Sequence, residues 1–464
     1  MHYKTSIMKQ SQKMEWSKLI SSKRFGHEDK HGDLAEFRSV FQRDYDRLIF
    51  SSPFRRLQNK TQVFPLPGSI FVHNRLTHSL EVASVGRSLG NDAARKLMEL
   101  HPELDENKLS QLGTITSAAC LAHDLGNPPF GHSGEKAIAT FFSEGKGLRF
   151  KDKIYAEVES ERAEILWNDI TRYDGNANAF RLLTHQYEGR REGGYVMTYS
   201  TLASIVKYPH SSIMCVNKDK FGFFESEFAI YREIAHHLGL RCFEDNRTRI
   251  KYARYPLAYF VEAADDICYE IMDIEDAYKL HLITAEKTKQ LLLDFFDPKQ
   301  RKTIEESYPN VTDPNERIIY MRSCVINAIE QECVRVFIEN EDSILRGEFE
   351  GSLIQHIEPH MYGAMKQIAN YAAANIYRSR EVLDIELAGC RIIDTLLELL
   401  TDAIEEPDKT YSRLLINRVP YQYQINAPTI HERLVGVLDY ITGMTDVYAL
   451  DLYRKINGMS LPAI

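Results

Sequence analysis

The sequence predicts an all-α protein, and three observations predict it. Apolar residues recur at three- and four-residue spacing through most of the 464 residues. Glycine and proline, which interrupt helices, number only 24 and 16. Alternating apolar and polar runs of the kind that build strands are few.

Taken in order, the first dozen residues are polar and expected to fray. Pro65-Leu-Pro-Gly68 reads as a turn, after which Asn74 serves as the N-cap of a helix running to Leu100. Leu109 to Leu125 is a second helix, stopped by Gly126 and two prolines. Glu135 to Phe142 starts a third. Tyr255 to Leu280 is another, with Pro256 suited to its first turn. Helices follow at Glu316–Asn340, Ile354–Asn375, Arg380–Glu405 and Thr429–Ile456. Tyr187–Val196, rich in Gly and Arg, and Val216–Phe224, mixing Lys with Gly and Phe, read as loops with room for one small hairpin. There is no internal repeat. The organisation expected is an N-terminal extension over 1–30, a core bearing the functional site over 31–290, and a helical C-terminal region over 291–464 packed on that core.

Composition narrows the class. With 44% hydrophobic and 27% charged residues, the chain reads as an ordinary globular protein without a membrane span. Its seven cysteines are scattered and form no Cys-x-x-Cys pair, so neither a disulfide scaffold nor a zinc–thiolate site is expected, and a reducing cytoplasm fits. A net charge of −9 argues against wholesale coating of a polyanion but leaves room for a local basic pocket. No phosphate-cradling Gly-x-x-x-x-Gly-Lys-Ser/Thr or Gly-x-Gly-x-x-Gly loop is present.

The chemistry concentrates in Leu121-Ala-His-Asp-Leu-Gly-Asn-Pro-Pro-Phe-Gly-His-Ser-Gly-Glu135. The neighbours His123 and Asp124 lie near a helix end and can reach one ion from one element. His78, in Asn74-Arg-Leu-Thr-His78, and Asp265, in Ala264-Asp-Asp-Ile-Cys-Tyr269, complete a set of two imidazoles and two carboxylates. Such mixed nitrogen and oxygen donors suit Mn²⁺, Fe²⁺, Zn²⁺ or Mg²⁺. His132 and Glu135, at i and i+3, share a helix face, and a carboxylate beside an imidazole favours its protonated form. The competing reading of that pair is a helix cap. Asp265, Tyr269 and Asp273 fall on one helical stripe, for which the competing reading is a solvated acidic face. Arg75, three residues before His78, is aimed at the same place. Lys207, Lys218 and Lys220 add cations from the middle loops.

These motifs, with Arg55-Arg-Leu-Gln-Asn-Lys-Thr-Gln-Val-Phe64 and Gly443-Met-Thr-Asp-Val-Tyr-Ala-Leu-Asp-Leu-Tyr453, resemble the deoxyguanosine triphosphate triphosphohydrolase family within the HD phosphohydrolases. The resemblance spans nearly the whole chain. It implies a helical HD core with a helical C-terminal extension, and hydrolysis of a dNTP to deoxynucleoside and inorganic triphosphate. It implies one divalent ion, Mn²⁺ or Mg²⁺ foremost with Fe²⁺, Co²⁺ or Zn²⁺ as alternatives, and a homo-oligomer such as a hexamer, with a dNTP or single-stranded DNA as effector. Carried over, the metal ligands are His78, His123, Asp124 and Asp265. Asp265 is preferred to Asp266 because the family places Tyr at +4 and Asp at +8. The catalytic pair is His132 and Glu135. Arg75 matches a phosphate contact, Gln62 a sugar 3′-hydroxyl contact, Tyr269 and Asp273 the substrate stripe, and Asn176, Lys207 and Tyr208 a pocket wall.

One position departs from the commoner His-Asp-x-Gly-His-Pro-Pro-Phe-Gly-His form. Asn127 stands at the middle histidine, so it can donate a hydrogen bond to phosphate without adding charge. The sequence also leaves open another HD-type phosphodiesterase or monophosphatase, and a nucleotide-sensing or nucleic-acid-binding regulator of weak activity.

Overall fold

The computed structural model describes residues 13–26, 38–64, 72–215 and 220–460. The initial dozen residues and the Pro65–Gly68 turn lie outside these. The protein is helical, with one two-stranded sheet among the described residues.

The framework is a 26-residue helix, Arg75–Leu100, that starts where its cap dictates. The Asn74 side chain accepts from the Thr77 amide at 3.0 Å and Thr77 Oγ1 accepts from the Asn74 amide at 3.1 Å. Against it lies Leu112–Ala122, buried along almost its entire length. Small residues let the two backbones approach. A Cβ on Gly90 would stand 2.7 Å from Gly113 Cα, and one on Gly86 would stand 2.5 Å from Cys120 Sγ. Both helices pack on Ala258–Lys279, and Pro314–Glu339 runs along the first. The Leu109–Leu125 expectation resolves into Glu106–Leu109 and Leu112–Ala122, so His123 and Asp124 follow the helix as its cap and first turn residue. Pro256 precedes its helix, which begins at Ala258.

Apolar side chains from Met14 to Val382 form one continuous core. A second apolar cluster joins 137–173 to 392–452. In it, Arg380–Glu405 packs on His132–Ser143, and the closing segment is two helices, Ile430–Thr442 and Asp446–Ile456. The expected single helix Thr429–Ile456 breaks at Gly443-Met-Thr445, where Thr445 caps the second piece by accepting from the Tyr448 amide. That break carries Asp446 to the functional site.

The hairpin falls in neither expected loop. It pairs Cys242–Asp245 with Ile250–Tyr252, antiparallel, with Asp245 opposite Ile250. Its turn is set by Asn246, whose side chain accepts from the Thr248 and Arg249 amides at 3.0 and 2.8 Å. The Tyr187–Val196 loop has positive φ at Gly189, Gly193, Gly194 and Val196, which a strand ladder does not accommodate. Four helices in the middle of the chain were not among those expected: Ser160–Thr171, Gly175–Thr184, Tyr199–Ile205 and Phe228–Leu238. Tyr199–Ile205 is buried on all sides, so its pattern shows no polar face to set a period.

Candidate metal and phosphate site

The site forms where the ends of three helices converge. His78 comes from the first turn of Arg75–Leu100, His123 and Asp124 from the exit of Leu112–Ala122, and Asp265 from the second turn of Ala258–Lys279. Donor atoms of His78, His123 and Asp124 lie within 4.8 Å of one another. Asp265 Oδ1 stands 3.2 Å from His78 Nε2 and 3.5 Å from His123 Nε2. His123 Nδ1 donates to the Cys120 carbonyl at 2.6 Å, which turns Nε2 toward the carboxylates. That Nε2 is buried and makes no hydrogen bond among the described residues. A buried ring nitrogen facing two carboxylates is what a divalent cation satisfies, so these four residues fit a metal.

Arg75 and Asn127 surround Asp124. Arg75 Nη1 donates to Oδ2 at 2.7 Å and Asn127 Nδ2 to Oδ1 at 2.5 Å. Burial pushes the Asp124 carboxyl up, but Arg75 and the two imidazoles more than offset this, and it titrates below its ordinary value. Asp265 goes the same way: burial opposes, His123 and His78 prevail, and it is held well below the carboxylate range.

After Asp124 the chain turns sharply. Phe130 and Gly131 have φ of 63° and 56°, and a Cβ on Gly131 would meet Arg75 Nη2 at 2.2 Å. Asp446 pins this turn by accepting from the Phe130 amide at 2.9 Å and the Thr61 amide at 2.7 Å. Lys60 adds a second clamp, donating to the carbonyls of Asn127 at 2.5 Å and Thr442 at 2.9 Å. Neither Lys60 nor Asp446 was singled out in the sequence, although both lie inside the quoted motifs.

The helix His132–Ser143 starts next. Its N-cap is Gly131 and no side chain caps it. His132 Nδ1 donates instead to Glu135 Oε2 at 2.7 Å, and Glu135 Oε1 accepts from the Gly175 amide at 2.7 Å. Lys220 Nζ stands 3.6 Å from Glu135 and 3.3 Å from Asp174. Burial raises the Glu135 carboxyl, while His132 and Lys220 outweigh that and hold it low. His132 itself is two-thirds exposed, at 66% of its side chain. A buried carboxylate holding an exposed imidazole is an arrangement able to move a proton, and no side-chain cap bond forms at this helix start.

A cleft of about 200 Å³ brings these groups together. Gln62, Arg75, His123, Asp124, Asn127, His132, Glu135, Asn176, Lys207, Tyr208, Asp265 and Tyr269 line it, with Lys220 and Asp266. Gln62 Oε1 is buried without a hydrogen-bond partner among the described residues. Lys207 pairs with Glu262 at 3.3 Å. His78 stands behind the wall, 2% exposed. Asp273 is also set back from the cleft, where its carboxylate accepts from the Tyr377 hydroxyl at 2.7 Å, and the Tyr377 ring lies 5.9 Å from that of Tyr269. Tyr377 was unreadable in the sequence, because it reaches this helix from the far end of Pro359–Asn375. The acidic stripe is therefore not a solvated face: Asp273, Glu275 and Asp276 are buried.

Burial pushes the Asp273 carboxyl up to about 8, beyond what Tyr377 offsets. An unfolded aspartate titrates near 3.9, so between about pH 4 and 8 the folded chain holds a proton that the unfolded chain has lost. This group's contribution to stability therefore falls as pH rises through that window. Asp273→Asn is expected to flatten the decline of unfolding free energy between about pH 5 and 8, by at most about 1.4 kcal/mol per pH unit. An unaltered slope in urea titrations across that range would show that Asp273 is ionised in the folded protein.

Comparison with known proteins places the same residues in context. Residues 75–212 match the HD domain family, and residues 355–455 match the phosphohydrolase-associated domain. The chain is 34% identical over 459 residues to a deoxyguanosinetriphosphate triphosphohydrolase-like protein of Pseudomonas aeruginosa (strain LESB58), covering 97% of this chain and all of the relative. It is 36% identical over 463 residues to a protein of the same description from Synechocystis sp., again 97% of this chain and all of the relative. The deoxyguanosinetriphosphate triphosphohydrolase of Serratia proteamaculans is 28% identical over 491 residues, covering 90% of this chain and 93% of that one.

Proposed function

Because the chain belongs to the deoxyguanosine triphosphate triphosphohydrolase family of HD phosphohydrolases, we propose that this hydrolase is a metal-dependent dNTP triphosphohydrolase, with dGTP as the first candidate substrate. The observation that carries the reading is one cleft lined by His123, Asp124 and Asp265, with His78 just behind them, by the His132–Glu135 pair and by three cationic side chains.

His78, His123, Asp124 and Asp265 would hold the ion, with Mn²⁺ or Mg²⁺ the first candidates. Bound there, it would supply Lewis-acid polarisation of a phosphoryl oxygen. Arg75 does two things. One guanidinium nitrogen orients Asp124, and its buried Nε, without a hydrogen-bond partner among the described residues, is available to a polyphosphate oxygen. Lys207 and Lys220 supply positive charge for the remaining phosphates, with Asn176, Tyr208 and Asn127 as neutral donors. Glu135 stays anionic and stabilises the imidazolium of His132, whose second ring nitrogen carries the proton to or from the cleft. Gln62 Oε1, which has no hydrogen-bond partner among the described residues, would accept from a sugar 3′-hydroxyl, with Tyr269 bounding the sugar and Asp273 behind it, held by Tyr377. With this reading go a cytoplasmic setting, to which cysteines scattered without a Cys-x-x-Cys pair are suited, and a homo-oligomeric assembly responsive to a dNTP or single-stranded DNA. Among the described residues no helix is long and apolar enough to cross a membrane.

Incubation with each dNTP and Mn²⁺, followed by chromatography of both products, tests the proposal. Deoxynucleoside with intact triphosphate is expected. Deoxynucleoside monophosphate with pyrophosphate, or diphosphate with orthophosphate, refutes it.

A further inference from the structure

The helix that presents His132 starts without a side-chain cap among the described residues, on a backbone that needs outside support. Phe130, two residues before it, has φ of 63°, a left-handed conformation that a bulky side chain rarely adopts. Gly131 follows at 56°. The carbonyls of these two residues are the first acceptors of the helix, taking the Ser133 amide at 3.2 Å and the Glu135 amide at 3.0 Å. The orientation of His132 at the helix start is thus set by the Phe130–Gly131 turn. Within the turn, the Gly131 amide donates to the Pro128 carbonyl at 3.1 Å. The Phe130 amide is held from a distant segment, by Asp446 Oδ1 at 2.9 Å.

Asp446 is itself firmly placed. It is 7% exposed and opens the helix Asp446–Ile456, which Thr445 caps by accepting from the Tyr448 amide at 3.1 Å. Its second oxygen accepts from the Thr61 amide at 2.7 Å. Thr61 in turn bridges to Asn74, the cap of the helix that carries Arg75 and His78. One carboxylate therefore joins three segments: the turn before His132, the stretch leading into Gln62, and the closing helix. Amide bonds to an ionised carboxylate are shorter and stronger than neutral ones, so this is a stiff junction. It runs from the phosphohydrolase-associated region, residues 355–455, into the HD region, residues 75–212.

We propose that Asp446 is a positioning residue for His132, a role that rests on the assignment of His132 to proton transfer. It holds the strained turn so that the imidazole meets Glu135 on one side and the cleft on the other. The phosphohydrolase-associated region thereby completes the proton-transfer pair without touching substrate. Without Asp446, Phe130 relaxes toward negative φ and the first turn of the helix frays. His132 then leaves Glu135, which stays behind on the Gly175 amide.

Asp446→Asn keeps the shape of the side chain and offers one acceptor oxygen in place of two. Turnover of the best dNTP is expected to fall about tenfold or more, the scale of one hydrogen bond to a charged group, while equilibrium substrate affinity stays within about twofold. The loss should shrink when Phe130→Gly is also present, because glycine takes a positive φ without strain. Carbethoxylation of His132, followed by peptide mass spectrometry on the resting full chain, needs no turnover. It should quicken in Asp446→Asn, because a ring released from Glu135 exposes both nitrogens, while the exposed His236 of Phe228–Leu238 reacts as before. His132→Ala keeps the two readings apart: normal turnover by that variant removes His132 from the chemistry, and the carbethoxylation rate still decides whether Asp446 places its ring. Should Asp446→Asn fail to fold, Asp446→Glu, which keeps the charge and carries it one methylene further, is measured in the same way. An unchanged carbethoxylation rate at His132 overturns the proposal. So does normal turnover by the Asp446 variant where His132→Ala is impaired, or a loss of turnover equally large with and without Phe130→Gly.

Discussion

Asp124→Ala is expected to abolish stoichiometric metal and to lower kcat by about 10³-fold or more, since a bound ion supplies several kcal/mol of transition-state stabilisation. Two effects combine at this position. The substitution removes one of four candidate ligands, and it strands Arg75, a 4%-exposed guanidinium whose ion-pair partner is Asp124. Leaving a buried cation unpaired costs about 3–5 kcal/mol, so a lower melting temperature should accompany the loss of activity. Asp124→Asn separates the two effects. It keeps a carbonyl oxygen that can accept from Arg75 while discarding the anionic donor, and should lose metal and turnover at a smaller cost in stability. Metal analysis of the purified variants, with circular dichroism as a control on the helical fold, reads the outcome. Retention of a full equivalent of metal by Asp124→Ala would remove this residue from the ligand set.

His132→Ala is expected to reduce kcat by about 10²-fold or more with little change in substrate affinity, the usual scale for a general acid–base group. The structure makes the split sharper than the sequence does. His132 is exposed and bonds no backbone amide, so its removal frees only Glu135 Oε2, which Lys220 can approach from 3.6 Å. Stability should change little. Single-turnover rates and equilibrium binding of a dNTP, measured on the same preparation, distinguish the roles. An unchanged rate with a lowered melting temperature would make the pair a structural feature of the helix start.

The elements that sequence located well are those whose signals are local. The Asn74 cap and the helix from Arg75 follow from side chains within a few residues of the boundary, and Pro407 lies just past the end of Arg380–Glu405. Motif order in turn identifies His78, His123, Asp124 and Asp265 as candidates, because few chemistries require that combination. What the sequence could not supply depends on chain segments meeting across hundreds of residues. The hairpin at Cys242–Tyr252 is too short for a visible alternation, and Tyr199–Ile205 has no polar face to give a period.

At the site itself, the residue types were written in the sequence and their roles in positioning were not. Asp446 fixes the Phe130 turn from 316 residues away, Lys60 bridges Asn127 to Thr442, and Tyr377 takes up the carboxylate of Asp273. The sequence by itself determined the helical class, the family and the set of candidate ligands, since caps, periods and motifs are local or order-based. Only the tertiary structure decided that Asp273 is buried with its carboxyl pushed up to about 8, that Glu135 is held low, and that Arg56 lines a cavity with no partner among the described residues. Each of these depends on desolvation and on which charge lies within a few ångströms, quantities that packing creates and no linear spacing contains.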